Sequence, residues 1–124
     1  MAHYIDAFLL RLPKNKVKAY QRMSAKAGKI WIDHGALEYR ECIGDDLFVK
    51  GMLSFTKPVK TKPGETVVFS WILYKSRAHR DAVNAKVMRD ERMSEVPTEM
   101  PFDMKRMAMG GFKTLVELES KKRR

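Results

Sequence analysis

The segment from Thr66 to Tyr74 constrains the fold of this chain most, because its strand-like pattern is apolar on both faces. In an extended strand successive side chains point to opposite sides. One side therefore carries Val67, Phe69, Trp71 and Leu73, and the other carries Val68, Ser70, Ile72 and Tyr74. A strand of this kind is typical of the centre of a sheet covered on both faces. Any fold of the chain must therefore cover two faces of a sheet.

Other stretches with a strand-like pattern lie on both sides of this segment. The sequence predicts strands over Tyr4 to Leu12, Leu37 to Ile43 and Lys105 to Leu118. It also predicts a weaker strand over Phe48 to Thr56, which a loop of lysines and prolines follows. The sheet is therefore expected to have four or five strands.

Two helices are predicted between the strands. From Asn15 to His34, apolar residues recur at spacings of three and four, and Gly35 follows as a stop. A second helix is expected from the cap residue Ser76 to about Asp90, with only a thin apolar stripe. Each helix thus connects two strands.

The order of these elements predicts an antiparallel sheet built from right-handed split βαβ units, with both helices on one face. Two helices cannot cover the other face, which still carries apolar side chains. Four or five such side chains represent about 1.5–3 kcal/mol each on full burial. We therefore expect a homodimer whose sheets pack face to face.

Length and composition predict one domain over residues 1–119 and a disordered basic tail over residues 120–124. No apolar run is long enough to span a membrane, and the start of the chain does not resemble a signal peptide. The single cysteine, Cys42, fits a reducing cytoplasm. No cofactor is indicated.

The formal net charge of +10 favours anionic partners. The alternative is an ordinary solvated surface with a frayed basic end. The last four residues are all cations, Lys121 to Arg124, and no stacking motif for RNA accompanies them. Nucleic-acid binding is therefore expected to be weak, non-specific and mostly due to this tail.

Four charged residues are candidates for chemistry. Asp6 lies inside an apolar strand, where burial would raise its pKa and make it a possible acid or base. Alternatively, Asp6 pairs with Lys105 or Arg106 on the neighbouring last strand. Asp103 and Arg106 are further catalytic candidates, with Lys105 as a ligand for an anion, or else the three form a charged turn.

Trp71, Tyr74 and Asn84 are candidates for binding a ligand between sheet and helices, although the aromatic residues are as readily plain core. His3, His34 and His79 lie in different elements, and no spacing matches a metal motif. The sequence therefore predicts no metal site.

The most unusual stretch is Met100 to Phe112, which combines methionines, adjacent cations and a Gly pair. Together with other segments it resembles the YbaA-like family, a bacterial family with a domain of unknown function. The matching segments are Tyr4 to Phe8, Gly35 to Leu37, Glu41-Cys42, Val67 to Ile72 with Tyr74, Arg80 to Asn84, Lys86 to Met88, and Met100 to Phe112.

The resemblance covers nearly the whole chain except the tail. It implies a fold similar to the dimeric α+β barrels, whose ferredoxin-like protomers pair through their sheets. It implies no particular reaction. The leading hypothesis is binding or turnover of a small molecule in a cleft between sheet and helices, and the alternatives are an RNA-binding protein and a purely structural dimer.

Overall fold

A computed structural model describes residues 2–97 and 100–120 of the chain. Three short 3-10 turns accompany the helices and strands, over Lys14–Lys16, Glu91–Glu95 and Met104–Arg106. The main elements are β1 (Tyr4–Pro13), α1 (Val17–Asp33), β2 (Glu38–Ile43), β3 (Glu65–Tyr74), α2 (Arg77–Met88) and β4 (Ala108–Lys113).

The four strands form one antiparallel sheet in the order β2-β3-β1-β4. The predicted central strand, β3, pairs along its whole length with β1, Tyr4 lying opposite Tyr74 and Leu12 opposite Thr66. Each helix connects two parallel strands that are separated by a third, as in the split βαβ units of ferredoxin-like folds. The predicted fold class, an α+β protein with this sheet topology, is confirmed.

Strand alternation divides the sheet into two different faces. The helix-side face carries the even-numbered residues of β1, and these pack with α1 and α2 in two buried clusters. One cluster is centred on Tyr74, Ile72 and Val83, and the other on Leu10, Leu12 and Tyr20. Within the described ranges, no helix packs on the second face, which we call the open face. Phe69 and Phe112 lie there, 44% and 60% exposed.

The weaker strand predicted over Phe48 to Thr56 is wrong. Residues 44–64 form a series of turns, in which Gly51 adopts a positive φ of 81° and the amide of Lys57 donates to the carbonyl of Ser54. A positive φ at Gly51 breaks the extended conformation that a strand requires. The sheet therefore has four strands.

The long turn region covers one end of the open face. Arg11, on β1, is 4% exposed and donates from Nη1 to the carbonyl of Lys60, at 2.8 Å. The neighbouring Val59 is 3% exposed, and Val67, opposite Arg11 in the sheet, is 2% exposed. The rest of the open face lacks such a cover.

The last strand is shorter than predicted. It covers Ala108–Lys113. It begins late because the carboxylate of Asp103 accepts from the amide of Lys105 and caps a 3-10 turn just before it. The Lys121 to Arg124 part of the predicted tail lies outside the described residues. None of the helices in the described ranges is long and apolar enough to span a membrane.

Candidate functional site

A cavity of about 480 Å³ lies between the helix-side face of the sheet and the helices. Its floor comes from β1, β2 and β3, and α1 and α2 supply walls. Most of its lining is apolar or aromatic, and seven methionines take part. They are Met23, Met88, Met93, Met100, Met104, Met107 and Met109. Methionine side chains are flexible and polarizable, so such a wall can adapt to ligands of different shape.

The stretch from Met100 to Phe112 forms much of this wall. Phe102 packs edge-on against Tyr20 of α1, with ring centroids 5.7 Å apart, while Met109 of β4 lies opposite Phe8. Gly111 lies opposite Asp6, and a Cβ there would collide with the ring and hydroxyl of Tyr4. The methionines and Phe102 of this stretch thus line the cavity, and Gly111 leaves room for the ring of Tyr4.

Asp6 lies on the cavity floor and is 5% exposed. Its carboxylate accepts from Nη1 of Arg80 on α2, at 2.6 Å. The predicted pairing with Lys105 or Arg106 is wrong, because both residues lie in the turn before β4 and the strand itself presents Gly111 to Asp6. The cation that neutralises Asp6 comes from a helix.

Burial and charge act in opposite directions on Asp6. Burial raises the pKa of the Asp6 carboxyl, the Arg80 guanidinium and the Asn84 amide lower it, and the net result is a raised pKa. The guanidinium also lies over the ring of Tyr4, 5.0 Å from its centroid, and donates to Asp81. Arg80 therefore pairs with two acids, through Nη1 and Nε.

Asn84 connects this pair to the aromatic core. Its Oδ1 accepts from Nε1 of Trp31, at 3.0 Å, and from the hydroxyl of Tyr74, at 3.3 Å. Its amide also lowers the pKa of the Asp6 carboxyl. Asn84 lines the cavity, whereas Tyr74 is fully buried behind it. Of the predicted ligand-binding residues, the structure brings these two together with Asp6.

A second acid, Glu41, lies elsewhere on the lining. Its carboxylate accepts from the hydroxyls of Tyr20, at 2.8 Å, and Tyr39, at 3.0 Å. Burial, and next the charge of Glu41, raise the pKa of both tyrosines. Between the two acids lies Ser70, which is 6% exposed.

Asp103, Lys105 and Arg106 do not belong to the described cavity lining. Asp103 caps the turn and lies 3.7 Å from Nη2 of Arg11 and 3.6 Å from Nε of Arg106. Lys105 is exposed. The structure therefore places these three residues in a surface group, separate from Asp6, and their predicted catalytic and binding roles find no geometric support.

Trp71 borders the cavity, but strand alternation places its indole on the open face. There Nε1 donates to Glu38, at 3.3 Å, and the ring lies 5.7 Å from that of Phe69. Trp71 was predicted to bind a ligand between the sheet and the helices, but its side chain points to the other face of the sheet. In the described ranges, no three histidine, cysteine or acidic side chains come together as metal ligands could.

Sequence reasoning missed Arg80, Glu41 and Ser70 as site residues. For Glu41 a signal was present, since it alternates with Tyr39 on the apolar side of β2. An acid on such a side is unusual enough to mark a candidate site. No comparable signal identifies Arg80, because its contact with Asp6 depends on how α2 is rotated against the sheet.

The fold and the cavity together define a class, a ferredoxin-like α+β protein with a ligand-sized apolar cavity on the helix side of its sheet. The profile of the family described as "Protein of unknown function (DUF1428)" matches residues 3–104. The chain belongs to this family.

Relatives at high identity are bacterial. "Uncharacterized protein YbaA" of Escherichia coli K12 is 43% identical over 114 residues, which cover 92% of this chain and 97% of that protein. The protein of the same name from Shigella flexneri matches equally. Among solved structures, a "dimeric ferredoxin-like protein" from an uncultured marine organism has a TM-score of 0.51 at 12% identity. The structural match covers 97% of this chain and 100% of that chain, and it supports the fold assignment.

Proposed function

We propose that this protein binds a small, mainly apolar molecule in the cavity between its sheet and helices. The observation that carries the proposal is the cavity itself, about 480 Å³ in volume and lined by apolar side chains with a few polar groups at its floor. Ligand sites in proteins have this size and this composition. Whether the ligand is also turned over is a separate question, for which Asp6 is the candidate base.

The polar groups in the cavity are already oriented. Asp6 is held by Arg80, and Glu41 is held by two tyrosine hydroxyls. Groups that are fixed before binding lose little freedom when a ligand arrives. The cavity is therefore suited to recognise a ligand at two polar points and to enclose its body in apolar surface.

We further propose that the protein is a homodimer joined through the open face. Phe69 and Phe112 expose large apolar surfaces there, and Ile5, Ala7 and Leu9 lie on the same side of β1. An apolar sheet face of this extent favours association. The ferredoxin-like structure from the marine organism is described as dimeric, which supports self-association of this chain. Pairing through the open face leaves each cavity free.

Methionine methyl groups provide a direct test of cavity binding. With ¹³C-methyl-labelled methionine, a titration with the neutral probe 1-naphthylmethanol should shift the methyl signals of the cavity methionines. Met52, which is 72% exposed on the turn region, should not shift and serves as an internal control. Equal shifts at Met52 and in the cavity, or none at all, would contradict the proposal.

A further inference from the structure

The two acids on the cavity lining differ in how their charges are neutralised. Asp6 forms an ion pair with Arg80. Among the described residues, Glu41 accepts only from the neutral hydroxyls of Tyr20 and Tyr39. In the part of the chain that the structure describes, no lysine, arginine or histidine forms an ion pair with Glu41. A carboxylate on an apolar lining is stabilised when a cation joins it.

Two tyrosines contact this carboxylate through their hydroxyls, and each packs on a further aromatic ring. Tyr20 packs against Phe102, and Tyr39 lies 6.3 Å from Trp31, ring centroid to ring centroid. All four rings belong to the cavity lining. Aromatic faces attract organic cations, and proteins use clustered aromatic rings to recognise ammonium groups.

Ser70 adds a hydrogen-bonding group beside Glu41. The two residues are direct neighbours in the β2–β3 pairing and point to the same side. Only 6% of the surface of Ser70 is exposed. Its hydroxyl has no hydrogen-bond partner among the described residues. It lines the cavity, so a ligand is the available partner.

We propose that the ligand is an apolar organic cation, with its ammonium group at Glu41 and Ser70 and its aryl or alkyl body along the methionine wall. This inference rests on the proposed function and names the class of ligand for the same cavity. Arg80 already binds Asp6 and Asp81 and lies over Tyr4. Arg40, which also borders the cavity, pairs with Glu38 at 3.5 Å. An anionic ligand would therefore compete with these acids for either arginine. The net charge of +10 repels cations in general. Non-specific electrostatic attraction therefore cannot produce a preference for a cationic ligand.

Three probes of nearly equal shape test the ligand class. Calorimetric titration of the full chain near pH 7 compares 1-naphthylmethylammonium, 1-naphthylmethanol and 1-naphthoate. We expect the ammonium to bind at least about tenfold more tightly than the alcohol, and the carboxylate to bind most weakly. If the alcohol binds and the ammonium binds no better, the ligand class is wrong and the cavity proposal stands. If none of the three binds, both proposals fail.

The charge of Glu41 is tested by Glu41→Gln, which keeps the shape of the side chain. In this variant the ratio of the dissociation constants of the alcohol and the ammonium should fall to about one, whatever the affinity for the alcohol itself. Glu119→Gln, which removes the same charge from an exposed position, should keep the preference. A preference that survives in Glu41→Gln would overturn the assignment.

A second variant keeps the test decisive if Glu41→Gln does not fold. Tyr20→Phe removes one hydrogen-bond donor from Glu41 but retains the negative charge. Its preference for the ammonium over the alcohol should remain at about tenfold or more. Loss of the preference in Tyr20→Phe, while the alcohol still binds, would show that the carboxylate does not recognise the cation.

Discussion

Asp6 and Arg80 form a short ion pair at the floor of the cavity. Both side chains are largely buried, and their atoms approach to 2.6 Å. Removing one partner leaves an uncompensated charge in a poorly solvated place, which is costly. A double-mutant cycle of Asp6→Asn with Arg80→Met, followed by urea unfolding, should therefore give a coupling energy above about 1 kcal/mol.

The cycle of Asp6→Asn with Arg106→Met is the matched control. Arg106 pairs with Asp103 at the surface and does not contact Asp6. Its coupling with Asp6 should remain within about 0.5 kcal/mol of zero. Strong coupling here and additivity with Arg80 would restore the pairing that the sequence had suggested.

The pH dependence of stability reports whether burial or the ion pair dominates at Asp6. The pKa of Asp6 is raised in the folded protein, with burial as the largest cause. Protonated Asp6 is therefore favoured by folding, and this contribution is lost as the pH rises through the folded-state pKa. As the pH falls from neutral, the wild type should gain stability relative to Asp6→Asn. A relative loss of stability in urea unfolding would mean that Arg80 dominates.

At the scale of single elements, Gly28 allows α1 to approach the sheet. A Cβ at this position would lie 2.5 Å from the ring of Tyr39, which lines the cavity. Ala normally favours a helix over Gly by about 1 kcal/mol, but overpacking costs about 1–3 kcal/mol. Gly28→Ala should therefore lower the free energy of unfolding and weaken binding of 1-naphthylmethanol.

Gly110→Ala is the control for this substitution. A Cβ at Gly110 would meet only Phe112, at 3.8 Å, which is ordinary contact. Because Gly110 lies opposite Ala7 on the open face, away from the cavity, this variant should leave probe binding unchanged. If Gly28→Ala behaves in the same way, Tyr39 has room to move and the tight approach of α1 is not required.

The elements differ in how well the sequence specified them. β3 was predicted correctly because apolar residues on both faces fit a central strand and little else. The strand predicted over Phe48 to Thr56 failed because its pattern was apolar without strict alternation, and a turn with Gly51 at positive φ suits it as well. Asp6 was recognised as a buried acid, but its partner depends on the packing of α2, which local patterns do not determine.

The residues of the candidate site were likewise predicted only in part from the sequence. The stretch from Met100 to Phe112 was noticed for its composition, and it does line the cavity. Its charged members, which had been predicted to act with Asp6, instead cap a turn and pair at the surface. Charge and residue type are visible in a sequence, whereas the side of a turn on which a charge lies is decided by tertiary packing.

At the scale of the whole molecule, the two faces of the sheet have different environments. The helices cover one face, and the open face carries exposed apolar side chains such as Phe69. The protein should therefore have twice the mass of its 14.4 kDa chain in light scattering at micromolar concentration. Phe69→Lys should shift this equilibrium toward the monomer, since it places a charge in the interface.

Ile32→Lys is a close match for this comparison. Ile32 lies on α1 and is 45% exposed, nearly the same as Phe69 at 44%, but it is remote from the open face. The Ile32→Lys variant should keep the mass of the wild-type protein in light scattering. A wild-type protein that stays at the mass of one chain would contradict the dimer, and equal behaviour of the two variants would place the interface elsewhere.

The most direct test of ligand binding in the cavity is to fill the cavity with a larger side chain and to measure whether binding is lost. Ala27 lies on α1 and lines the cavity, whereas Ala25 on the same helix is exposed. Calorimetric titration with 1-naphthylmethanol should give Ala25→Phe the affinity of the wild type, and Ala27→Phe should bind at least about tenfold more weakly while keeping its fold and mass. If a folded Ala27→Phe variant binds the probe as well as Ala25→Phe does, the cavity is not the ligand site.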